Sequence, residues 1–419
     1  MRDLAQTVIQ RIEALGEISD EPGRLTRTFC SPAMREANSL VGSWMREAGM
    51  EVRQDAIGNL IGHYSEKSPK SKVQSPKSSA QKILLLGSHL DTVRDAGKFD
   101  GPLGVLVAIA CVQALNDARI RLPFAIEVIG FSDEEGVRYQ SAYLGSKVLA
   151  GTFSRKELTR TDANGVTMTD AIRNFGGNPD GLAAAQLDPK RLLGYAEVHI
   201  EQGPVLEQQN LSVGAVTAIA GQTRVKLTFT GRAGHAGTTP MNLRRDALCA
   251  ASEFVLAAEF FAQRRNGLVA TVGEITALPG ASNVIPGRVQ LSLDVRHPND
   301  ARRRAAVAAL KKRADAIAAH RKVNFDWQLV HQAPAVTCDR QFSSLLSKAV
   351  KHRQRKLVLL HSGAGHDAAA MAAVTPVTML FVRCKKGISH HPDESASVRD
   401  VRVAIGVMSD FIGLLYAAP

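Results

Sequence analysis

The sequence predicts an α/β protein: a mostly parallel-sheet domain interrupted by a ferredoxin-like α+β insert. Three observations carry this. Short apolar runs alternate with helical stretches from about residue 82 to residue 200. After about Leu211 the strands acquire one polar face. After about His331 the chain returns to helix and buried strand. A chain of 419 residues, 45% of them hydrophobic, can supply two cores.

Taken in order, Ser31 and Pro32 start a helix ending near Gly49, as an N-cap residue followed by proline should. Two strands follow, at Glu51–Asp55 and Asn59–Tyr64. Residues 65–82 are rich in Ser, Lys and Pro and too poor in apolar side chains to pack, so they read as a flexible surface insertion. Lys82–Ser88 and Phe124–Phe131 are buried strands around a helix at Leu103–Leu115, and Tyr195–Ile200 is another strand. Such alternation implies a parallel sheet. Arg224–Thr230 then alternates strictly, with Val225, Leu227 and Phe229 on one face. A helix at Arg245–Gln263, strands at Leu268–Thr276 and Arg288–Val295, a helix at Asp300–His320 and a strand at Lys322–Val330 complete the ferredoxin-like order. Val377–Val382 is again a buried strand. The expected domains are residues 1–211 with 332–419, and residues 212–331.

The formal net charge is +12, but the basic residues are mostly scattered. Two runs, Arg302–Arg304 with Lys311–Arg313 and Lys351–Lys356, read as solvated helix faces. Aromatic residues make up only 5%, and no nucleic-acid-binding motif occurs, so a nucleic-acid partner is not expected. A positive surface suits a small anionic substrate. The five cysteines are odd in number and form no CxxC pair, which points to a reducing compartment. Met1–Ile18 lacks the apolar core of a signal peptide, and no apolar run is long enough to span a membrane. The expected location is the cytoplasm.

Four clusters carry chemistry. Gly87–Val93 places His89 and Asp91 just beyond a buried strand, with Asp100 following before a helix. Open α/β sheets put ligand sites at such strand ends. Taken alone, Asp100 reads as a helix cap. Phe131–Gly136 holds Asp133, Glu134 and Glu135, adjacent carboxylates at the edge of a core, where a cation would hold them together. Glu197–Pro204 and Gly387–Pro392 add His199, His390 and His391. Any one of these histidines alone would read as structural. Together the clusters form an oxygen- and nitrogen-rich set suited to zinc, manganese or nickel. No phosphate loop, dinucleotide fingerprint or nucleophile elbow competes.

The clusters resemble those of the M20 metallopeptidase clan. Within it the chain resembles the hydantoinase/carbamoylase branch: allantoate amidohydrolases, N-carbamoyl-L-amino-acid hydrolases and beta-ureidopropionases. The likeness runs from about residue 20 onward and also includes Gly231–Met241, Ser282–Gly287 and Ser362–Ala368. It implies two divalent ions per subunit, Mn²⁺ or Zn²⁺, with Ni²⁺ or Co²⁺ as alternatives. The implied ligands are His89, Asp100, Glu135, His199 and His390, with Asp100 bridging. Asp91 would orient His89, and Glu134 would be the general base. Gln202 would contact the ureido end of the substrate, and Asn283 and Arg296 would grip its carboxylate. His235 would stabilise the oxyanion from a partner subunit, so the resemblance implies a homodimer through an insert acting as lid and dimerisation domain. His366 and Asp367 read equally well as site supports or as a helix start, and His391 as a bystander. Phe381–Pro392 is most similar to allantoate amidohydrolases, which implies allantoate as substrate, in purine catabolism. The neighbouring activities of the branch are the alternatives, and a non-catalytic ligand-binding relative is the alternative of another class.

Overall fold

The computed structural model describes residues 3–65 and 82–417. The Ser/Lys/Pro insertion, apart from Ser65 and Lys82 at its ends, lies outside the described residues. The chain divides into two compact units. Met1–Thr217, Cys338–Leu360 and Gly365–Pro419 form the first, and Ala218–Thr337 with His361–Ala364 form the second.

In the first unit the sheet order is Glu51–Gln54, Leu60–Tyr64, Ala125–Phe131, Ile83–His89, Leu192–Ile200, Val377–Val382, Val213–Ile219. The central pairings, from Ala125–Phe131 across to Val377–Val382, are parallel. Every residue of Ile83–His89 and Ala125–Phe131 is buried, as befits strands covered on both faces. The helix Pro102–Asp117 is buried on all sides through its first eleven residues, Pro102–Val112. Its Gly104 packs so closely on the sheet that a Cβ there would lie 2.1 Å from the Val198 carbonyl oxygen. Ser31 caps its helix as expected, its Oγ accepting from the Met34 N–H at 3.1 Å.

The strand Val213–Ile219 was not expected. It joins the first unit's sheet, antiparallel to Val377–Val382. Apolar throughout except Thr217, it runs through Ala220 into the next strand at Gly221 with no turn residues to mark its end.

The second unit is antiparallel, in the order Ile275–Leu278, Arg288–His297, Gly221–Thr230, Asn324–Ala333. The expected single strand Leu268–Thr276 is two, Val269–Thr271 and Ile275–Leu278, both paired with Arg288–His297. Thr271 and Ile275, four residues apart, face Asp294 and Leu291, three apart. One extra residue therefore interrupts the ladder, as in a bulge. Val225, Leu227, Phe229 and Val289 to Val295 in alternation pack with Phe254 of the helix Ala247–Gln263 and Leu310 of the helix Asp300–Arg321. The expected solvated basic face fails at Arg303, which is fully buried. Its guanidinium donates to the Gln222 carbonyl, Thr223 Oγ1 and Asp300 Oδ1.

Candidate metal centre

The strand ends of the first unit gather the acids and histidines. His89 is the last residue of its strand, Asp133–Glu135 follow Ala125–Phe131 after the single residue Ser132, and His199 is next to last in Leu192–Ile200. Asp100 precedes the buried helix but does not cap it; Gly101 takes that place. Asp100 Oδ1 lies 3.0 Å from His199 Nε2 and 3.5 Å from His89 Nε2. Its Oδ2 lies 3.2 Å from His390 Nε2, which is 3.6 Å from Glu135 Oε1. Donor atoms of His89, Asp100 and His199 all lie within 4.8 Å of one another, and so do those of Asp100, Glu135 and His390. Asp100 belongs to both groups.

Ring orientation tests whether metal fits. His89 Nδ1 lies 3.0 Å from the Asp91 carbonyl oxygen, and His199 Nδ1 lies 3.0 Å from that of Ile200. A carbonyl oxygen only accepts, so each Nδ1 carries a hydrogen and each neutral ring keeps its lone pair on Nε2. Both lone pairs then face the Asp100 carboxylate, an arrangement that needs a cation between. A proton can serve. Burial opposes charge on His89 and His199, yet Asp100, helped by Asp91 and Glu197 respectively, raises both above the ordinary histidine value. Burial likewise opposes charge on Asp100, but His199, His390 and His89 hold it well below the carboxylate range. Two divalent ions would satisfy the same donors, and the set fits them.

Asp91 does more than the expected orientation of His89. Its carboxylate accepts the backbone N–H groups of Glu134 at 2.9 Å and Glu135 at 3.1 Å, while Oδ1 stays 3.4 Å from His89 Nδ1. One buried side chain thus sets both the first histidine and the acid turn. Burial and the charge of Glu135 push the Glu134 carboxyl well above its ordinary value. Burial and Asp100 push Glu135 up to about 7. A carboxyl raised out of the ordinary range can hold a proton where a surface carboxylate could not.

Gln202 Nε2 donates to Asp100 Oδ2 at 2.7 Å and to Ser389 Oγ at 3.0 Å. Its Oε1 is buried without a hydrogen-bond partner. His366 caps the helix Asp367–Met371, and its ring also lies 4.4 Å from that of His199. It therefore stands at a helix start and also beside His199. Asp367 accepts from Ser146 Oγ at 2.5 Å. His391 is exposed, its Nδ1 accepting from the Asp393 N–H at 3.2 Å.

The sequence reading missed two acids. Glu197 accepts from Ser88 Oγ and the Ala368 N–H, both at 2.9 Å, beneath the donors. Glu394 accepts from the N–H groups of Phe99 at 2.8 Å and Asp100 at 2.9 Å. Its place four residues after His390 was the available signal. A Cβ on Gly97 would lie 2.3 Å from that of Glu394, which accounts for the glycine.

His235, Asn283 and Arg296 belong to the second unit. His235 pairs with Val284, and the Asn283 carbonyl accepts from the Ala236 N–H at 2.9 Å, so these two are neighbours. His235 Nδ1 accepts from the Gly237 and Thr238 N–H groups at 3.1 and 3.2 Å. The neutral ring therefore carries its hydrogen on Nε2, as a donor. Arg296 is gripped by Asp294, with bonds of 3.1 Å to Oδ1 and 2.8 Å to Oδ2, and donates to the Gly363 carbonyl at 2.6 Å. A cavity of about 870 Å³ lined by Arg224, Ser292, Asp294 and Arg296 opens on this polar sheet face.

The sequence profile of Peptidase family M20/M25/M40 matches residues 85–413. The chain belongs to the M20 peptidase family. This M20 chain is 40% identical to a probable allantoate deiminase of Oryza sativa subsp. japonica, over 98% of its own length and 88% of the relative's. It is also 40% identical to an N-carbamoyl-L-amino acid amidohydrolase of Geobacillus stearothermophilus, over 95% of each. A solved amidase of the hydantoinase/carbamoylase family from Burkholderia multivorans superposes with a TM-score of 0.89 at 31% identity, covering 99% of this chain and 98% of that one. The M20 chain is an amidohydrolase, so the non-catalytic alternative is set aside. Among the described residues, no helix is long and apolar enough to cross a membrane.

Proposed function

We propose that this M20 amidohydrolase cleaves a ureido C–N bond in a small carboxylic acid, with allantoate as substrate. The observation that carries the reading is Asp100, shared between the His89–His199 group and the Glu135–His390 group, with Glu134 alongside. These five donors would hold two divalent ions, Mn²⁺ or Zn²⁺, which when bound polarise a carbonyl and make water easier to deprotonate. Glu134 takes a proton from the attacking water and returns it to the leaving nitrogen. Gln202 Oε1 accepts from the ureido NH₂. Arg296 and Asn283 hold the substrate carboxylate, and His235 Nε2–H donates to the developing oxyanion, from the partner subunit of a homodimer. One ureido arm of allantoate is cut per turnover: allantoate and water give ureidoglycine, ammonia and carbon dioxide.

A second reading, N-carbamoyl-L-amino-acid hydrolysis, draws equal support from identity, because the rice and Geobacillus relatives match at the same 40%. Allantoate is favoured by the likeness of Phe381–Pro392. The test compares kcat/KM for allantoate, N-carbamoyl-L-amino acids and 3-ureidopropionate. Allantoate should lead; a clear preference for either rival would move the assignment to that activity.

A further inference from the structure

The metal donors all lie within the region matched to the M20 family, which begins at residue 85. The first of them is nevertheless held by a segment from outside that region. Residues 25–27 run alongside residues 92–96, the loop that joins His89 to Asp100. The Ala96 N–H donates to the Leu25 carbonyl at 2.8 Å, the Asp95 N–H to Thr26 Oγ1 at 3.2 Å, and the Thr92 N–H to the Arg27 carbonyl at 2.9 Å. The Arg27 N–H returns a bond to Thr92 Oγ1 at 2.9 Å.

Arg27 has no exposed surface. Its Nε donates to the carbonyl of Leu90, the residue between His89 and Asp91, at 2.6 Å. Its Nη1 donates to the Leu15 and Ile18 carbonyls, each at 3.1 Å, at the end of the first helix, Leu4–Gly16. Burial lowers its pKa to about 10, with Asp91 and Asp20 opposing the shift, so it stays charged at neutral pH. Burying a guanidinium is costly unless its surroundings compensate it. Here three backbone carbonyls compensate it, and together they tie the Leu90 turn to the end of the first helix. From the other side the Leu90 N–H donates to the Phe131 carbonyl at 3.0 Å, so the peptide groups before and after Leu90 are both fixed.

We propose that Arg27 is a positioning residue of the metal centre: it locks the His89–Leu90–Asp91 turn and, through Asp91, the acid turn bearing Glu134 and Glu135. The proposal rests on the metal reading above. Arg27 touches neither substrate nor donor atoms; it acts through the backbone they hang from.

The test measures Mn²⁺ affinity of the metal-stripped full chain by competition with a chelator, alongside thermal melting and steady-state kinetics. Arg27→Met should remain folded but bind Mn²⁺ at least about tenfold more weakly, and kcat should fall while KM holds. Arg27→Lys keeps the charge without the fork and should also bind more weakly. A lower melting temperature with wild-type Mn²⁺ affinity in both variants means a merely structural role and overturns the proposal. Should both variants fail to fold, Thr92→Val decides. It removes the acceptor of the Arg27 N–H together with the Thr92 Oγ1 bond to the Val93 carbonyl, and leaves the guanidinium in place; unchanged Mn²⁺ affinity there overturns the proposal, while weaker binding supports it. Wild-type protein that binds neither Mn²⁺ nor Zn²⁺ would overturn the metal reading as well.

Discussion

Glu134 is buried beside Glu135 on a turn fixed by Asp91, and burial together with that neighbouring charge raises its carboxyl well above the ordinary range. Glu134→Gln keeps the shape and removes the acceptor. Turnover should drop by about a hundredfold or more, while bound metal, counted by atomic emission, stays at the wild-type level; near-normal turnover would remove Glu134 from the role. The clusters were legible in the sequence because they lie at or beyond the ends of apolar strands, while the choice of individual donors came from the resemblance to the M20 clan. His89, Glu135, His199 and His390 come from four such clusters and do converge on Asp100. Glu197 and Glu394 were not legible. Their work is accepting hydrogen bonds from backbone and from Ser88, and a carboxylate that does this looks like any other acid until the chain is folded. The second duty of Asp91, receiving the Glu134 and Glu135 N–H groups, was hidden for the same reason.

Helices and strands set how firmly these residues are held. Gly104 lets the helix after Asp100 lie against the strand bearing His199, with no room for a methyl group. Gly104→Ala should force the two apart, costing about 1–3 kcal/mol of stability as overpacking does, with weaker metal binding in whatever folds. Urea denaturation and a chelator titration would check both. Elsewhere Asp410 clamps the helix Arg340–Gln354 to the helix Val398–Ala417, taking Arg353 at 2.5 and 2.6 Å and lying 2.7 Å from His352 Nδ1. Burial works to raise the Asp410 pKa, but Arg353 and His352 hold it below the ordinary value. A depressed carboxylate stabilises the fold above its unfolded pKa and loses that contribution as pH falls through its folded pKa. Asp410→Asn should therefore cost up to about 1 kcal/mol near neutrality, the pair being partly exposed. The difference from wild type in urea melts should vanish in acid. A gap that persists there would show that packing, not charge, is at stake. Elements with a clean period or cap were readable, as Ser31 with Pro32 and the alternation of Arg224–Thr230 show. The break at Val272–Glu274 and the strand Val213–Ile219 were not, because a bulge depends on its partner strand and an apolar run without turn residues has no visible end.

At the scale of the whole molecule, chelation should abolish turnover, and Mn²⁺ or a similar ion should restore it. Full activity in metal-free protein would sink the metal reading. The proposed homodimer predicts complementation. His235→Ala and Glu134→Gln, each inactive alone, should regain activity when mixed, since one combined site would carry both intact residues. Silence after demonstrated subunit exchange would place His235 in its own subunit's site.

The order of strands in the first sheet also constrains how the protein is made. Val377–Val382, the last of them in sequence, is not at an edge but between Leu192–Ile200 and Val213–Ile219. A chain emerging from the ribosome presents those two flanks, then the entire second unit, before the strand that fits between them exists. Until then two apolar strand edges stand open, and His390, which follows that strand, cannot reach Asp100. The nascent protein must keep a slot unfilled while a whole domain is synthesised. That interval is when it is most exposed to wrong partners and to any chaperone that shields unpaired strands.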